Sequence, residues 1–318
     1  MTNEELTQLA KLYYLDGLTQ EDLARRFGIS RATIGRLLKR AQAEGIVEIR
    51  VRHDPEATAS LQQALLQEFG LQRVLISPDH DNPDSQRALL AGLVAGYLDR
   101  VLADNGTVAV GMGRNVAAVS RHVVSSGPRR CHFVCAVGGA HRGGEEMNAD
   151  HVARRLAAHF GGVAETLYAP AMVADPQLRE ALLENETVRR CLQRARRADL
   201  ALVGIGDILH DSYMCRMGWF SAEELASARA EGAIGDLMGY DFIDLHGRPV
   251  SPQFGGRAVG LGLADLRRIG NVVAVASEPT KVSGVLGALR TGAIDTLAVT
   301  RAIAQSVLGL ARATTAGG

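Results

Sequence analysis

The chain has 318 residues, 47% of them hydrophobic, and its 35 basic residues are balanced by 35 acidic ones. This length predicts about two globular domains, because a single domain commonly takes about 100–200 residues. The zero net charge excludes nucleic-acid binding through overall charge, so any such affinity must come from a local basic cluster.

The apolar runs and the cysteines indicate neither a membrane protein nor an oxidising compartment. No run approaches the roughly 18 apolar residues that cross a bilayer, and the N-terminal MTNEELTQLAKLYYLDG has acids where a signal peptide has basic residues. The four cysteines, Cys131, Cys135, Cys191 and Cys215, form no CxxC pair. We therefore expect a cytoplasmic protein without membrane contact, whose reduced cysteines mostly pack in the interior and bind no metal.

The first 45 residues carry three short helical patterns. Apolar residues at helical spacing, followed by an Asp-Gly pair, predict a first helix that ends near Leu15. Thr19 is a good N-cap for a second helix, with Asp22 as its capping-box partner. Gly28 stands where a tight turn needs a positive φ, and a third helix follows it. This order predicts a helix-turn-helix motif.

The third helix should expose a face that fits the major groove of DNA. Ser30 is its N-cap, and Ile34, Leu37, Leu38 and Ala41 form its expected buried stripe. Six basic residues and no acid lie from position 25 to position 43. A solvated basic surface or a protein-docking helical hairpin is the alternative, but the caps, the turn glycine and the basic cluster agree on DNA binding. The residues predicted to contact DNA are Thr19, Gln20, Ser30, Arg31, Ala32, Thr33, Gly35, Arg36, Lys39 and Arg40.

Residues 12–52 resemble the N-terminal domain of the SorC family of bacterial transcription regulators, through LTQEDLARRFGISR and RLLKRAQAEGIVEI. The final run IVEIRVR alternates apolar and polar residues, which predicts a strand that forms a wing. Gly35 stands where many members have serine and should weaken the recognition helix, because glycine costs about 1 kcal/mol in a helix interior. We expect a small all-α, winged helix-turn-helix DNA-binding domain at 1–54.

A polar break, HDPEATAS, separates this module from an α/β pattern that fills residues 55–318. Short apolar strands alternate with amphipathic helices, which predicts a mostly parallel, Rossmann-like sheet covered on both faces. Ligands of such folds collect at the carboxyl ends of the strands. The predicted strands are RVLIS, TVAVGMG, CHFVCAVGG, ADLALVGIGD, NVVAVAS and IDTLAV, and the predicted helices include SQRALLAGLVAGYLDRVLA, NADHVARRLAAHF and TKVSGVLGALRTG.

Glycine and polar residues follow three of these strands, which predicts one shared pocket. Backbone amides and a lysine at helix starts can bind an anion, and carboxylates accept hydrogen bonds from hydroxyls. No stretch completes GxGxxG or a P-loop, so a small anionic ligand is favoured over a nucleotide, and no cofactor is expected. The predicted ligand-binding residues are Gly111, Met112, Gly113, Arg114, Asn115, Gly138, Gly139, Asn148, Asp207, Asp236 and Lys281.

The same segments are similar to further motifs of the SorC family. GMGRN resembles its GWGRT loop, VGIGD and GAIGD resemble its paired glycine segments, and the block from Val272 to Leu308 resembles its C-terminal motif. The resemblance implies a domain that binds a sugar or phosphosugar effector and folds like glucosamine-6-phosphate deaminase and ribose-5-phosphate isomerase. It implies phosphate contacts from the Gly113 loop, Gly138-Gly139 and Lys281, and hydroxyl contacts from Asp207 and Asp236. It also implies a homo-oligomer, a dimer or a tetramer.

Three departures from the family pattern keep the ligand class open. Met112 replaces a frequent tryptophan, Ser277–Thr280 replaces a glycine pair before the lysine, and Thr300-Arg301 replaces Asp-Glu. Glu278 adds a negative charge near the expected phosphate end. An unphosphorylated sugar or a polyol is therefore an alternative to a phosphosugar.

We expect a transcription regulator that binds double-stranded operator DNA and responds to such an effector, with no catalytic residues. An isomerase or deaminase with a basic appendage is the rival interpretation. Its candidate acids and bases, Asp207, Asp236, His210 and His141, form no dense cluster in the sequence. A DNA-bound scaffold without a ligand is the third interpretation.

Overall fold

The structure is a computed structural model that describes residues 2–47, 55–140, 144–209 and 212–315. It divides into two compact units, Met1–Asp54 and Pro55–Gly318. The first unit contains the helices α1 (Asn3–Tyr14), α2 (Gln20–Phe27) and α3 (Arg31–Ala43).

Local caps define the helices of the first unit. Thr19 and Asp22 form the predicted capping box before α2, and the Ser30 side chain accepts a hydrogen bond from the Thr33 amide at the start of α3. Gly28 ends α2 at φ 65° and ψ 28°, in the left-handed region that glycine adopts without strain. The predicted end of α1 is also confirmed, since Leu15 is its C-cap. The helix-turn-helix is therefore set by interactions within a few residues.

A small apolar core holds the three helices together. Leu9, Leu23, Ile34 and Leu38 form one buried cluster, and Leu6, Ala10 and Ala41 form a second. Leu37 is only partly buried, so the predicted stripe of α3 is correct at three of its four positions. Residues 48–52 of the predicted wing lie outside the described residues.

The second unit consists of a sheet with helices on its faces. Its described residues form the strands β1 (Arg73–Ser77), β2 (Thr107–Val110), β3 (His132–Cys135), β4 (Val163–Glu165), β5 (Leu200–Gly206), β6 (Gly235–Leu237), β7 (Asp241–Ile243), β8 (Val272–Ala276) and β9 (Thr296–Thr300). The longer helices are α4 (Pro55–Phe69), α5 (Pro83–Val101), α6 (Arg114–His122), α7 (Ala149–Phe160), α8 (Pro176–Glu184), α9 (Glu186–Arg196), α11 (Ala222–Ala230), α14 (Val282–Arg290) and α15 (Arg301–Thr315). Three helices of four residues are α10 (Tyr213–Arg216), α12 (Pro252–Gly255) and α13 (Leu263–Leu266).

The strand order places a crevice between β2 and β5. The sheet runs β1-β9-β8-β5-β2-β3-β4, and these seven strands are parallel. From β2 the chain continues to β3 on one side, and from β5 it later reaches β8 on the other. Because the winding direction reverses between β2 and β5, their carboxyl ends are the place where an open α/β sheet binds ligands.

An antiparallel hairpin extends the sheet at this crevice. The strands β6 and β7 pair with each other, and β6 pairs with the end of β5, so that Gly206 lies opposite Asp236. Residues 238–240 connect the two strands, and within this loop Met238 and Gly239 have φ values of 62° and 88°. A methionine in the left-handed region costs about 1–2 kcal/mol, and such strained residues cluster at functional sites.

The sheet core agrees with the predicted burial. Every residue of β8 and β9 is buried, as expected for central parallel strands. Cys131, Cys135 and Cys191 are buried free thiols and Cys215 is half-buried, and burial raises the pKa of Cys135 and Cys191 to about 12. Across the described ranges, no helix is both long and apolar enough to span a bilayer.

Candidate functional site

A cavity of about 90 Å³ lies at the carboxyl ends of β2 and β5. The loop after β2, the end of β5 and the β6–β7 hairpin form its walls. Gly111 lies directly beside it, where its amide donates to the Leu202 carbonyl at 2.9 Å. Two of the three glycine-marked strand ends therefore meet as predicted. The predicted residues that line the cavity are Met112, Gly113, Arg114, Asn115, Asp207, Asp236 and Lys281.

The third strand end lies elsewhere, which corrects the prediction of one shared pocket. Gly138, Gly139 and Asn148 line a separate cavity beyond β3. The Oδ1 of Asn148 accepts a hydrogen bond from the Ala140 amide at 2.7 Å, and its Nδ2 donates to the Ala140 carbonyl at 2.8 Å. A side chain at Gly138 would collide with the carbonyl of Ala169, so its glycine serves close packing. The carboxyl end of β3 lies outside the crevice because β3 is on the side of β2 that faces away from β5.

An apolar wall of the first cavity was missing from the sequence prediction. Met214, Met217, Trp219 and Met238 line it, and each is buried. Three of them come from the segment MCRMGWF between β5 and β6, whose sulfur-rich composition and only tryptophan were the available signal. A binding pocket commonly combines such apolar surface with a few directed polar groups.

Asp236 is a buried acid with an unsatisfied oxygen. The residue is 2% exposed, and its Oδ1 accepts a hydrogen bond from the Gly239 amide at 2.7 Å. Its Oδ2 has no partner among the described residues. Burial raises the pKa of the Asp236 carboxyl to about 7, although the Gly239 amide and the Lys281 charge act in the opposite direction. Near neutral pH this group can therefore accept or donate a hydrogen bond inside the cavity.

Lys281 forms an ion pair with Glu278, which the sequence identified only as a negative charge near the expected phosphate end of the ligand. Its Nζ lies 2.9 Å from Oε2 of Glu278, whose side chain is 15% exposed. Burial alone would raise the pKa of Glu278, but the Lys281 charge and the Asn115 hydrogen bond hold it at about 2. Glu278 is thus ionised beside Lys281.

The loop after β2 begins α6 at the cavity. Gly113 is the N-cap at φ 111° and ψ 170°, a conformation that is essentially restricted to glycine. The first-turn amides of a helix have no partner within the helix, so those of α6 are available to a ligand. The Asn115 side chain is not available, because its Oδ1 accepts from Ser277 at 2.7 Å and its Nδ2 donates to Glu278 at 2.8 Å.

A second cavity of about 480 Å³ adjoins the first. Arg114 and Asp207 line both, and the Asp207 Oδ2 accepts a hydrogen bond from Thr280 at 2.8 Å. Of the acid-base candidates for an enzyme, His141 and His210 lie outside the described residues.

The outward face of α3 is basic, as predicted. Arg31, Ala32, Arg36, Lys39 and Arg40 are exposed, and Thr33 and Gly35 are half-buried. Within residues 2–47, Arg40 is paired with Glu44 at 2.6 Å, whereas Arg31, Arg36 and Lys39 have no ion pair.

Two further predicted DNA contacts are Thr19, the N-cap of α2, and Gln20, the first residue of α2. The Thr19 hydroxyl donates to Asp22 at 2.6 Å, so it is occupied by its own helix cap. Gln20 lies against α3, since a Cβ at Gly35 would be 3.6 Å from its Oε1. The predicted DNA-contacting residues are thus on one unit, with Thr19 and Ser30 engaged as caps.

Comparison with known proteins follows the division into two units. Residues 53–309 match the family described as "Putative sugar-binding domain", and residues 1–55 match the MarR family. The structure superposes on the full-length sorbitol operon regulator SorC of Klebsiella pneumoniae with a TM-score of 0.73 and 27% identity, covering 96% of this chain and 98% of that one. The chain belongs to the SorC family of transcriptional regulators.

Other SorC-type proteins agree. The transcriptional regulator LsrR of Klebsiella pneumoniae is 30% identical over 316 residues, covering 98% of this chain and 95% of that protein. The sugar-binding domain of a transcriptional repressor from Vibrio fischeri has 46% identity and a TM-score of 0.75, covering 80% of this chain and 99% of that one. The predicted family and the α/β fold are confirmed, and the chain is a transcriptional regulator with an N-terminal helix-turn-helix domain.

Proposed function

We propose that the second unit binds a small polyhydroxylated effector, a sugar or polyol, which sets the affinity of the first unit for operator DNA. The observation that carries this proposal is the buried Asp236, whose Oδ2 has no partner among the described residues. A buried polar atom without a hydrogen bond is costly, and a ligand hydroxyl would satisfy it. The names of the relatives, a sugar-binding domain and a sorbitol operon regulator, support the same class of ligand.

Each wall of the cavity has a proposed role. Asp236 and Asp207 accept hydrogen bonds from the effector's hydroxyls, and Lys281 donates to a hydroxyl oxygen. The first-turn amides of α6, from Arg114 onwards, donate to another oxygen, whereas the Gly113 amide is already bonded to the Met147 carbonyl at 3.0 Å. Trp219 and the methionines cover the carbon skeleton. This division of polar and apolar contacts suits a compact molecule with hydroxyls on one side.

The recognition helix α3 has a proposed orientation on DNA. The exposed Ala32 and the half-buried Thr33 face base edges, and Arg31 and Arg36 supply bidentate donors for guanine. Lys39 contacts phosphate, whereas Arg40 contributes less because Glu44 neutralises it. Operator half-sites are related by two-fold symmetry, so we propose that the chain acts as a homodimer or a homotetramer.

The effector is bound and not converted in this proposal. Isomerisation or deamination of a sugar needs a positioned base and an acid that opens the ring. The described acids of the cavity are Asp207 and Asp236, and the first of these is engaged by Thr280. Steady formation of product from any phosphosugar would contradict this part of the proposal.

A DNA-binding titration tests the proposal. Fluorescence anisotropy measures the affinity of the protein for the DNA upstream of its own gene, first without a ligand and then with each of a panel of pentoses, hexoses and their polyols. We expect at least one compound to change the DNA affinity by about tenfold, which is in the usual range of allosteric coupling. The same compound should raise the melting temperature, which a ligand-free scaffold would not show.

Matched variants assign the response to the cavity. Asp236→Asn should abolish it. Asp241→Asn changes a half-buried acid on the facing strand β7, opposite Leu237 and outside the cavity lining, and should retain it. If no compound changes DNA affinity, or if both variants respond alike, the proposed site is wrong.

A further inference from the structure

Three cations converge on the single carboxylate of Glu278. Its Oε2 lies 2.9 Å from Nζ of Lys281, and its Oε1 lies 3.3 Å from Nη2 of Arg87 and 3.7 Å from Nη2 of Arg114. Asn115 donates a further hydrogen bond to Oε2 at 2.8 Å. These donors come from α5, from the first turn of α6 and from the residues before α14. The fold thus assembles an anion-binding site from distant segments and fills it with its own carboxylate.

The position of this carboxylate is the one that a ligand phosphate would take. Arg114 and Asn115 belong to the first turn of α6, where the helix dipole favours an anion. Lys281 lines the cavity and would be the natural partner of a phosphate there. Its charge is already neutralised, and its side chain is only 11% exposed. Arg114 remains the more accessible cation, with its side chain 41% exposed.

We propose that Glu278 holds the place of a ligand phosphate, so that the effector of this protein is an uncharged polyhydroxylated molecule. This inference rests on the proposed function and narrows its ligand class. A phosphate monoester would bring about two negative charges against an ionised carboxylate that shares the same cations. An uncharged polyol meets no such repulsion, and its hydroxyls can satisfy Asp236 and Asp207, which line the same cavity as Lys281.

Binding of inorganic phosphate provides the first test, because it needs no knowledge of the effector. We compare the full-length wild type with Glu278→Gln, which keeps the shape and removes the charge. Glu180→Gln makes the same chemical change on the exposed surface of α8 and serves as control. Phosphate should raise the melting temperature of Glu278→Gln, with an affinity gain of at least about tenfold, and leave the other two proteins unchanged.

A second measurement uses only the wild type, so it stands even if Glu278→Gln fails to fold. Isothermal titration compares ribitol, xylitol and sorbitol with their terminal phosphate monoesters. Each phosphate ester should bind at least about tenfold more weakly than its parent polyol. An ester that binds the wild type more tightly than its parent overturns the inference, as does equal phosphate binding by the wild type and Glu278→Gln, or none by either.

The two proposals fail in different ways. If no sugar or polyol changes the affinity for operator DNA, the proposed function is wrong, whatever phosphate does. If a phosphosugar changes that affinity in the wild type and Glu278→Gln weakens its binding, the proposed function stands and the role given to Glu278 is wrong.

Discussion

Asp236→Asn should change how the stability of the protein depends on pH. The folded-state pKa of Asp236 is raised by burial from 3.8 to about 7, so the folded chain keeps a proton that the unfolded chain releases. Stability is therefore lost as pH rises through this window, and the loss is complete above pH 7. Asparagine cannot ionise and escapes the loss. The variant should gain stability relative to the wild type as pH increases.

The size of this gain follows from the two pKa values. A shift of about three units corresponds to roughly 4 kcal/mol at high pH, because each unit is worth about 1.4 kcal/mol. Between pH 5 and pH 8.5 the part that is measured is roughly 2–3 kcal/mol. The buried amide of asparagine adds a cost of about 1–3 kcal/mol, since Oδ2 has no donor or acceptor partner among the described residues, but this cost is the same at both pH values.

Urea unfolding followed by the fluorescence of Trp219 measures the difference. This residue is the only tryptophan in the sequence and lies in the same cavity wall. Asp244→Asn is the control. Burial acts to raise the pKa of Asp244, but hydrogen bonds from the Arg248 and His246 amides outweigh burial, so the pKa of Asp244 is lowered. That carboxyl is ionised in both states above pH 5, so its variant should lose the same stability at both pH values. An equally flat difference for Asp236→Asn would refute the reasoning.

Three further substitutions test other parts of the structure. Gly35→Ala should stabilise the first unit by up to about 1 kcal/mol in thermal unfolding, because its Cβ would meet only Gln20 at 3.6 Å; a loss of stability would contradict this packing. Arg36→Ala should weaken operator binding. If Arg36 contacts a phosphate, the slope of log affinity against log salt concentration should fall by about one, and if it contacts guanine, discrimination for that base should be lost. Unchanged anisotropy curves at two salt concentrations would remove Arg36 from the interface. Gly206→Ala should destabilise the second unit and abolish the effector response, because its Cβ would collide with the Asp236 carboxylate; a stable, responsive variant would show that Asp236 is placed differently.

The helix-turn-helix could be predicted in detail because its signals are local. The Thr19 cap, the Gly28 turn and the Ser30 cap each depend on residues no more than four positions away. The same holds for the six longer strands of the sheet, whose apolar runs are continuous. The strands β4, β6 and β7 have three residues each, too few to show a period, and the three-residue loop 238–240 of the β6–β7 hairpin lacks the Asn-Gly signal of two-residue hairpin turns.

The cavity could be predicted only in part, because a local sequence pattern does not show the order of the strands in the sheet. The strand-end rule correctly brought the loop after β2 together with Asp207, Asp236 and Lys281. It failed for Gly138 and Gly139 because only the order of the strands shows that β3 lies beyond the point where winding reverses. The charge of Glu278 was visible in the sequence, but its partner Arg87 is 191 positions away, which no spacing rule connects.

Three glycines explain how acid and lysine come to share the cavity. Gly206 ends β5, Gly235 begins β6 and Gly284 lies in the first turn of α14. A Cβ at Gly235 would be 2.5 Å from the Cα of Gly284, and a Cβ at Gly284 would be 2.8 Å from the Gly206 carbonyl. Because glycine has no Cβ, α14 can pack directly on the β5–β6 pair. Since Lys281 immediately precedes α14 and Asp236 follows Gly235, this close approach is what places both side chains on the cavity.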